Sequence, residues 1–379
     1  MTKAPSAESR RATGTPASPR AAVARARRIV VKVGSRTIAA DAGLFGRLAH
    51  AVAAASRGRS FVVVSSGAIA LGMAKLRYRV RPKEMARLQA AAAAGQSLLM
   101  RAYEDAFGAC GLTVGQVLLT HADLADRVRA NNARGALRAL LDAGAVPILN
   151  ENDSVAVEEI KFGDNDQLAA MVAPLVDAEL VVLLSDVAGL LDRRGERVPL
   201  VCDVASEALP LVRKSTPGVG SGGMASKIEA ARRAMLSGAN VVVADAREPG
   251  ALDAVLAGED VGTLFVASSR KLSAKKYWIA FTLRPRGDLV LDRGAVAAVR
   301  ARGKSVLSVG VLGVRGDFRA GDAVRLLDAA GAEVARGLAR SASVDVALVA
   351  GKAREELPDG LRDRAVVVHA DELVVESPG

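Results

Sequence analysis

From residue 29 onward, short β-branched runs alternate with longer Ala/Leu-rich stretches whose apolar positions recur at helical spacing. That pattern predicts an α/β fold of three layers, a mostly parallel sheet with helices on both faces. Strands are predicted at 29–33, 60–65, 113–119, 146–150, 180–185, 240–244 and 263–266, and helices at 43–56, 83–108, 124–143, 164–177 and 223–237. Asp164 and Ser226 stand near helix starts. Around 268–284 the chain turns Ser/Lys/Arg-rich, and from 285 the apolar segments shorten and are separated by turns such as Arg315-Gly316-Asp317 and Ala320-Gly321-Asp322. A small, mostly β barrel-like domain is expected there. The predicted division is a basic tail over 1–28, a first domain over 29–270, a linker over 271–284 and a second domain over 285–379.

Composition changes this picture in two places. The net charge of +11 would point to nucleic acid or an anionic membrane if it lay on a folded surface. Much of the excess instead sits in the tail, where Lys3, Arg10, Arg11, Arg20, Arg25, Arg27 and Arg28 face Glu8 alone, while the region from 285 is balanced. The tail has almost no large apolar side chain and is expected to be disordered. It lacks the apolar core of a secretory signal, and no run reaches the roughly 20 apolar residues of a membrane span, so a cytoplasmic protein is expected. Cys110 and Cys202 are too few for a disulfide framework or a Cys-based zinc cluster and are expected in the core.

The candidate chemistry falls where predicted strands end, the place at which ligands bind in open α/β sheets. Lys32, in Val31-Lys32-Val33-Gly34-Ser35, should emerge above a tight turn, either to meet an anion or to reach solvent from an edge strand. Gly220-Ser221-Gly222-Gly223-Met224-Ala225-Ser226-Lys227 precedes a helical pattern and suits either a phosphate cradle or a flexible loop; its spacing is not that of a Walker A motif. Ser65-Ser66-Gly67 can bind an anion or simply cap a helix. Asn150-Glu151-Asn152-Asp153 and Gly163-Asp164-Asn165-Asp166 place amides and carboxylates at two further openings, as Asx turns or as holders of magnesium or a substrate ammonium. Ser185-Asp186 ends another strand. His50, His121 and His369 are scattered and read as structural or exposed. A carboxylate nucleophile, ionised at neutral pH, would need none of them as a base.

Taken in order, these motifs resemble those of the glutamate 5-kinases, members of the amino acid kinase superfamily that carry a C-terminal PUA domain, from about 28 to about 375. The resemblance implies the amino acid kinase fold and ATP-dependent phosphorylation of the L-glutamate side-chain carboxylate to L-glutamyl 5-phosphate, the first step of proline synthesis, often inhibited by proline. It makes Lys32 and Lys227 the stabilisers of the transferring phosphoryl group, with Asp166 positioning both. Ser66, Asp153 and Asn165, with Gly67 and Asn150 adjoining, correspond to the glutamate set. Ser185, Asp186, Ser221, Gly222, Gly223, Met224, Ala225, Ser226 and Lys227 correspond to nucleotide contacts, joined by Lys32. Mg2+ is expected to arrive with ATP, and a homo-oligomer is expected.

Three positions depart from the family pattern: Arg36 stands where a small residue is usual, Ser185 where threonine is common, and His121 where a basic residue is expected. Two alternatives stand beside this reading. One is a related kinase acting on aspartate, N-acetylglutamate or a small phosphate acceptor, against which the Asn150–Asp166 segment argues. The other is an RNA-binding regulator using the second domain. Nucleic acid is not expected as the main partner, because that domain is charge-balanced and Phe318 is its sole aromatic residue.

Overall fold

The computed structural model describes residues 18–41, 43–156, 164–212, 223–269 and 271–375. In the first domain the strands are β1 Arg28–Val33, β2 Ser60–Ser65, β3 Val114–Leu119, β4 Val146–Glu151, β5 Leu180–Ser185, β6 Leu200–Val201, β7 Asn240–Asp245 and β8 Thr263–Phe265. They form one sheet in the order β3-β4-β2-β1-β5-β7-β8-β6. The pairs from β3 through β7 are parallel; β8 runs antiparallel to β7, and β6 is parallel to β8. The helices are α1 Pro19–Arg25, α2 Ser35–Ala40, α3 Leu44–Ala55, α4 Ala68–Lys75, α5 Met85–Gly108, α6 His121–Ala125, α7 Arg127–Asp142, α8 Asp164–Val172, α9 Met224–Ser237 and α10 Ala251–Ala257.

Strand alternation explains how one sheet serves two cores. Val30, Val62, Val64, Leu149, Leu183 and Val243 face α7, α8 and α9, whereas Ile29, Val31, Phe61, Val63, Ile148 and Val182 face α3, α5 and α10. Lys32 shares the parity of Val30, so it points to the α8 and α9 side. Its strand is central, with Lys32 opposite Val64 on β2 and Leu183 on β5. A lysine there is enclosed from the start, which rules out an edge-strand side chain reaching into water.

Several expectations need correction. Residues 19–25 of the supposed tail form α1, whose Val23 is fully buried and whose Arg20 donates to the carbonyls of Pro199, Glu259, Val261 and Gly262; residues 1–17 lie outside the described residues. The helix expected over 124–143 is two, because the Asp126 carboxylate accepts from the amides of Val128 and Arg129 and caps a new start. Cys202 is exposed and Cys110 half-buried, so neither is a core residue.

The segment expected to be a linker is folded as well. It holds α11 Ala274–Tyr277 and a wider turn over Trp278–Thr282. Tyr277 is buried and its hydroxyl donates to the Ala170 carbonyl of α8 (2.8 Å), while Trp278 donates to Leu124 and His121 to Thr282. Beyond it lie β9 Gly287–Leu291, α12 Arg293–Arg302, β10 Val306–Leu307, β11 Val311–Gly316, β12 Ala323–Leu327, β13 Glu333–Ala339, α13 Ser343–Val349 and β14 Val366–Val375. The strands make a mostly antiparallel sheet, ordered β10-β14-β13-β12-β9-β11, in which only β9 and β12 pair parallel. Phe318 is buried in its core, so it offers no stacking face. Among the described residues no helix is long and apolar enough to cross a membrane.

Candidate active site

The carboxylate of Asp166, on the first turn of α8, is wholly buried and holds two ammonium groups: Lys32 Nζ at 2.6 Å from Oδ1 and Lys227 Nζ at 3.3 Å from Oδ2. Lys32 comes from the end of β1 and Lys227 from the first turn of α9, so a central strand and two helices packed on one face of its sheet converge on one carboxylate. Each lysine is about 5 % exposed. Burial of this kind disfavours charge, and it depresses the pKa of Lys32 although the Asp166 carboxylate opposes the effect; the nearby Lys227 ammonium depresses it further.

At the C-terminal end of β5, Ser185 Oγ donates to Asp186 Oδ1 at 3.1 Å, and Arg36 of α2 pairs with Asp186 Oδ2 at 2.8 Å. Burial works against ionisation of Asp186, but the backbone, the Ser185 hydroxyl, Arg36 and Lys227 together hold its pKa below the ordinary carboxylate value. Arg36, one of the three departures from the family pattern, pairs with this cluster although its side chain is largely exposed. Gly223, Met224, Ala225, Ser226 and Lys227 open α9, where the Gly223 carbonyl accepts from the Ser226 and Lys227 amides; Ser221 and Gly222 lie outside the described residues.

Next to the three charges is a cavity of about 340 Å3, lined by Ser66, Gly67, Asn150, Asp153 and Asn165 and also by Arg36, Arg81 and Glu151. The Asn165 amide nitrogen donates to the Ser65 carbonyl (3.0 Å), Ser66 Oγ (2.8 Å) and Asn150 Oδ1 (3.0 Å), tying β2, β4 and α8 together. Asn150 in turn donates to Gln96 of α5 at 2.9 Å. Asn165 Oδ1 is buried with no partner among the described residues, an arrangement that costs about 1–3 kcal/mol unless a donor meets it. Gly67 is required by its backbone: its φ of 103° lies in the left-handed region, and a Cβ would come within 3.3 Å of Ile38.

All the proposed substrate residues thus line one cavity, and Lys32, Asp166 and Lys227 stand beside it. Sequence reading missed Gln96 and Arg81. A glutamine within the Ala/Gly run of α5 was a faint signal; Arg81, among Arg77, Arg79 and Lys83, had none. His121 bonds the wide turn between the two domains and has no place in the cavity.

The chain as a whole has counterparts among known proteins. Residues 27–245 match the amino acid kinase family and residues 287–361 match the PUA domain. The chain belongs to the amino acid kinase family. Within that family it is similar to the glutamate 5-kinase of Myxococcus xanthus, 46 % identical over 369 residues that cover 94 % of this chain and 98 % of that one. It is similar also to the glutamate 5-kinase of Thermus thermophilus, 46 % identical over 362 residues, 93 % and 98 % of the two chains. That of Syntrophotalea carbinolica is 43 % identical over 363 residues, 92 % and 97 % of the two.

Proposed function

We propose that this chain transfers the terminal phosphoryl group of ATP to the side-chain carboxylate of L-glutamate, forming L-glutamyl 5-phosphate at the first step of proline biosynthesis. The observation that carries this reading is one buried carboxylate, Asp166, presenting two lysine ammonium groups beside a cavity of about 340 Å3 into which Ser66, Asn150, Asp153 and Asn165 bring polar groups. The relatives named above support the choice of substrate.

In this reading glutamate lies in the cavity with its side-chain carboxylate toward Lys32. That carboxylate, with an ordinary pKa of about 4.3, is already ionised at neutral pH and needs no general base. Its oxygen forms the new bond to the terminal phosphorus of ATP as the bond to the bridging oxygen breaks, and ADP leaves. Lys32 and Lys227 offset the charge spread over the transferring group, and Asp166 fixes where both ammonium groups point. The Asn165, Ser66 and Asn150 network holds the acceptor, Asp153 faces the substrate ammonium, and the amino end of α9 with Ser185 and Asp186 takes the nucleotide.

Magnesium, which screens phosphate oxygens in such transfers, would come bound to ATP. Among the described residues no group of three or more His, Cys, Asp or Glu side chains is arranged to hold an ion, and Asp166 is already engaged by two cations. Inhibition by proline, assembly into a homo-oligomer and a cytoplasmic location belong to the same reading.

The test is incubation of the purified chain with ATP, Mg2+, L-glutamate and hydroxylamine. Glutamate-dependent hydroxamate and matching ADP are expected, and Lys227→Ala should lower kcat by about a hundredfold or more with the circular dichroism spectrum retained. Absence of glutamate-dependent hydroxamate from the wild-type protein, or turnover of the variant within threefold of it, would refute the proposal.

A further inference from the structure

The cavity has charges that phosphoryl transfer does not use. Its wall, which does not include Asp166 or the two lysines, carries two cations, Arg36 and Arg81, and two carboxylates, Glu151 and Asp153. Arg36 is committed to Asp186 at 2.8 Å, on the side where the nucleotide is placed. Arg81 lies in the loop between α4 and α5, half-buried, and lines the same cavity as Asp153; burial lowers its pKa and the Asp153 carboxylate opposes that effect.

We propose that Arg81 and Asp153 act as a matched pair that reads the α-carboxylate and α-ammonium of the substrate, which makes Arg81 a specificity-determining residue for a free α-amino acid. The inference rests on the kinase reading of the same site. An α-amino acid carries one charge of each sign on a single carbon. Such a headgroup can exchange into an Arg–Asp pair without burying net charge, with Arg81 taking the carboxylate through paired N–H donors and Asp153 accepting from the ammonium. The opposite end of the substrate then lies toward Lys32, where a second carboxylate is needed as acceptor. A ligand lacking either headgroup charge would leave one member of the pair without its counterpart, and such a mismatch discriminates strongly.

Two relatives of glutamate separate the charges: 4-aminobutyrate keeps the reacting carboxylate and the ammonium but lacks the α-carboxylate, and glutarate lacks the ammonium. With the full chain, kcat/KM for glutamate and the inhibition constants of both analogues against glutamate are measured for wild type, Arg81→Leu, Arg81→Lys and Asp153→Asn. Arg81→Leu should reduce kcat/KM for glutamate by about tenfold to a hundredfold through KM, and shift the 4-aminobutyrate constant by less than about threefold. Arg81→Lys should recover part of the loss. Asp153→Asn should weaken glutamate and spare glutarate in the same sense.

Equal loss for glutamate and 4-aminobutyrate in Arg81→Leu, or no loss for either, would overturn the assignment. An ATP KM close to wild type in each variant shows that the site has kept its fold. A wild-type protein without glutamate-dependent turnover would instead defeat the kinase reading itself, so the two failures are distinguishable.

Discussion

Replacing Asp166 by asparagine keeps the side-chain shape and removes one negative charge from between two buried cations. The carboxylate lies 2.6 Å from Lys32 and 3.3 Å from Lys227. At an effective dielectric of about 20, each such contact is a raw attraction of about 5–6 kcal/mol, most of it offset by the desolvation of the ions. What survives when one partner of a buried pair is deleted is a loss of about 3–5 kcal/mol, a large share of the about 5–15 kcal/mol that holds a domain together. The chain can lessen the loss by discharging a lysine, and Lys32, whose pKa burial already depresses below the 10.5 of a solvated lysine, is the one to yield.

The sign of the pH effect follows. In wild type Lys32 gives up its proton at a lower pH than an ordinary lysine, and in Asp166→Asn the opposing pull of the carboxylate is gone, so the proton leaves at a still lower pH. The alkaline limb of kcat should move down, and kcat at neutral pH should fall at least a hundredfold. Between the folded and unfolded pKa values of Lys32 the unfolded chain holds more protons, so the variant gains stability as pH rises through that window and loses it as pH falls. Initial rates of ADP release at saturating glutamate and ATP across the pH range, with urea unfolding of the free protein, measure both quantities. A variant with kcat within threefold of wild type and an unmoved alkaline limb would show that Asp166 does not govern the lysines.

Two further outcomes are expected. In Gly95→Ala the new Cβ would stand 1.7 Å from the Ala68 carbonyl and 2.5 Å from the Gly72 amide. Helices α4 and α5 must part, which costs about 1–3 kcal/mol and displaces the Ser66-Gly67 turn; thermal unfolding should show a lower Tm and kinetics a higher glutamate KM, and an unchanged Tm would contradict this account. Arg36→Ala leaves Asp186 ionised without its cation beside the place assigned to a polyanion, so ATP KM should rise by about tenfold. Since the side chain of Arg36 is largely exposed, unfolding free energy should change by under about 1 kcal/mol, and an unaltered ATP KM would count against the nucleotide placement.

What the sequence revealed and what it hid divide along the range of the forces involved. Runs such as Leu180–Leu184 are buried on both faces of the sheet, so their continuous apolar character marks strands to within a residue. Lys32 was legible as a functional candidate because a charged side chain interrupts such a run, and Asp166 because it sits at a helix start. The convergence of Lys32, Asp166 and Lys227 is a tertiary fact that strand alternation and the packing of α8 and α9 produce. Helix α1 could not be read: its Ala/Arg sequence has one buried large apolar residue, Val23, and Arg20 is anchored to carbonyls some 240 residues away. The segment at 274–282 was equally opaque, since its Lys-rich flank looks like a linker while Tyr277 and Trp278 find their hydrogen bonds on α8 and α6. Asp126 was hidden for the opposite reason, a purely local cap inside an otherwise continuous helical pattern.

The energetics of the three buried charges also argue for what kind of site this is. Lys32, Asp166 and Lys227 sum to one positive charge in a water-poor place, and three apolar side chains of the same volume would cost the fold less. A structural role gives no reason to bear that penalty, because the surrounding strands and helices already pack through Val30, Leu183, Leu168 and Ile228. The residual positive charge is relieved when an anion enters beside it, and relieved most by the species with the most charge at that point. A phosphoryl group in transit between two anions is such a species. On the proposed reading, the unfavourable burial in the free protein and the stabilisation of the transition state are one electrostatic effect at two stages of the reaction.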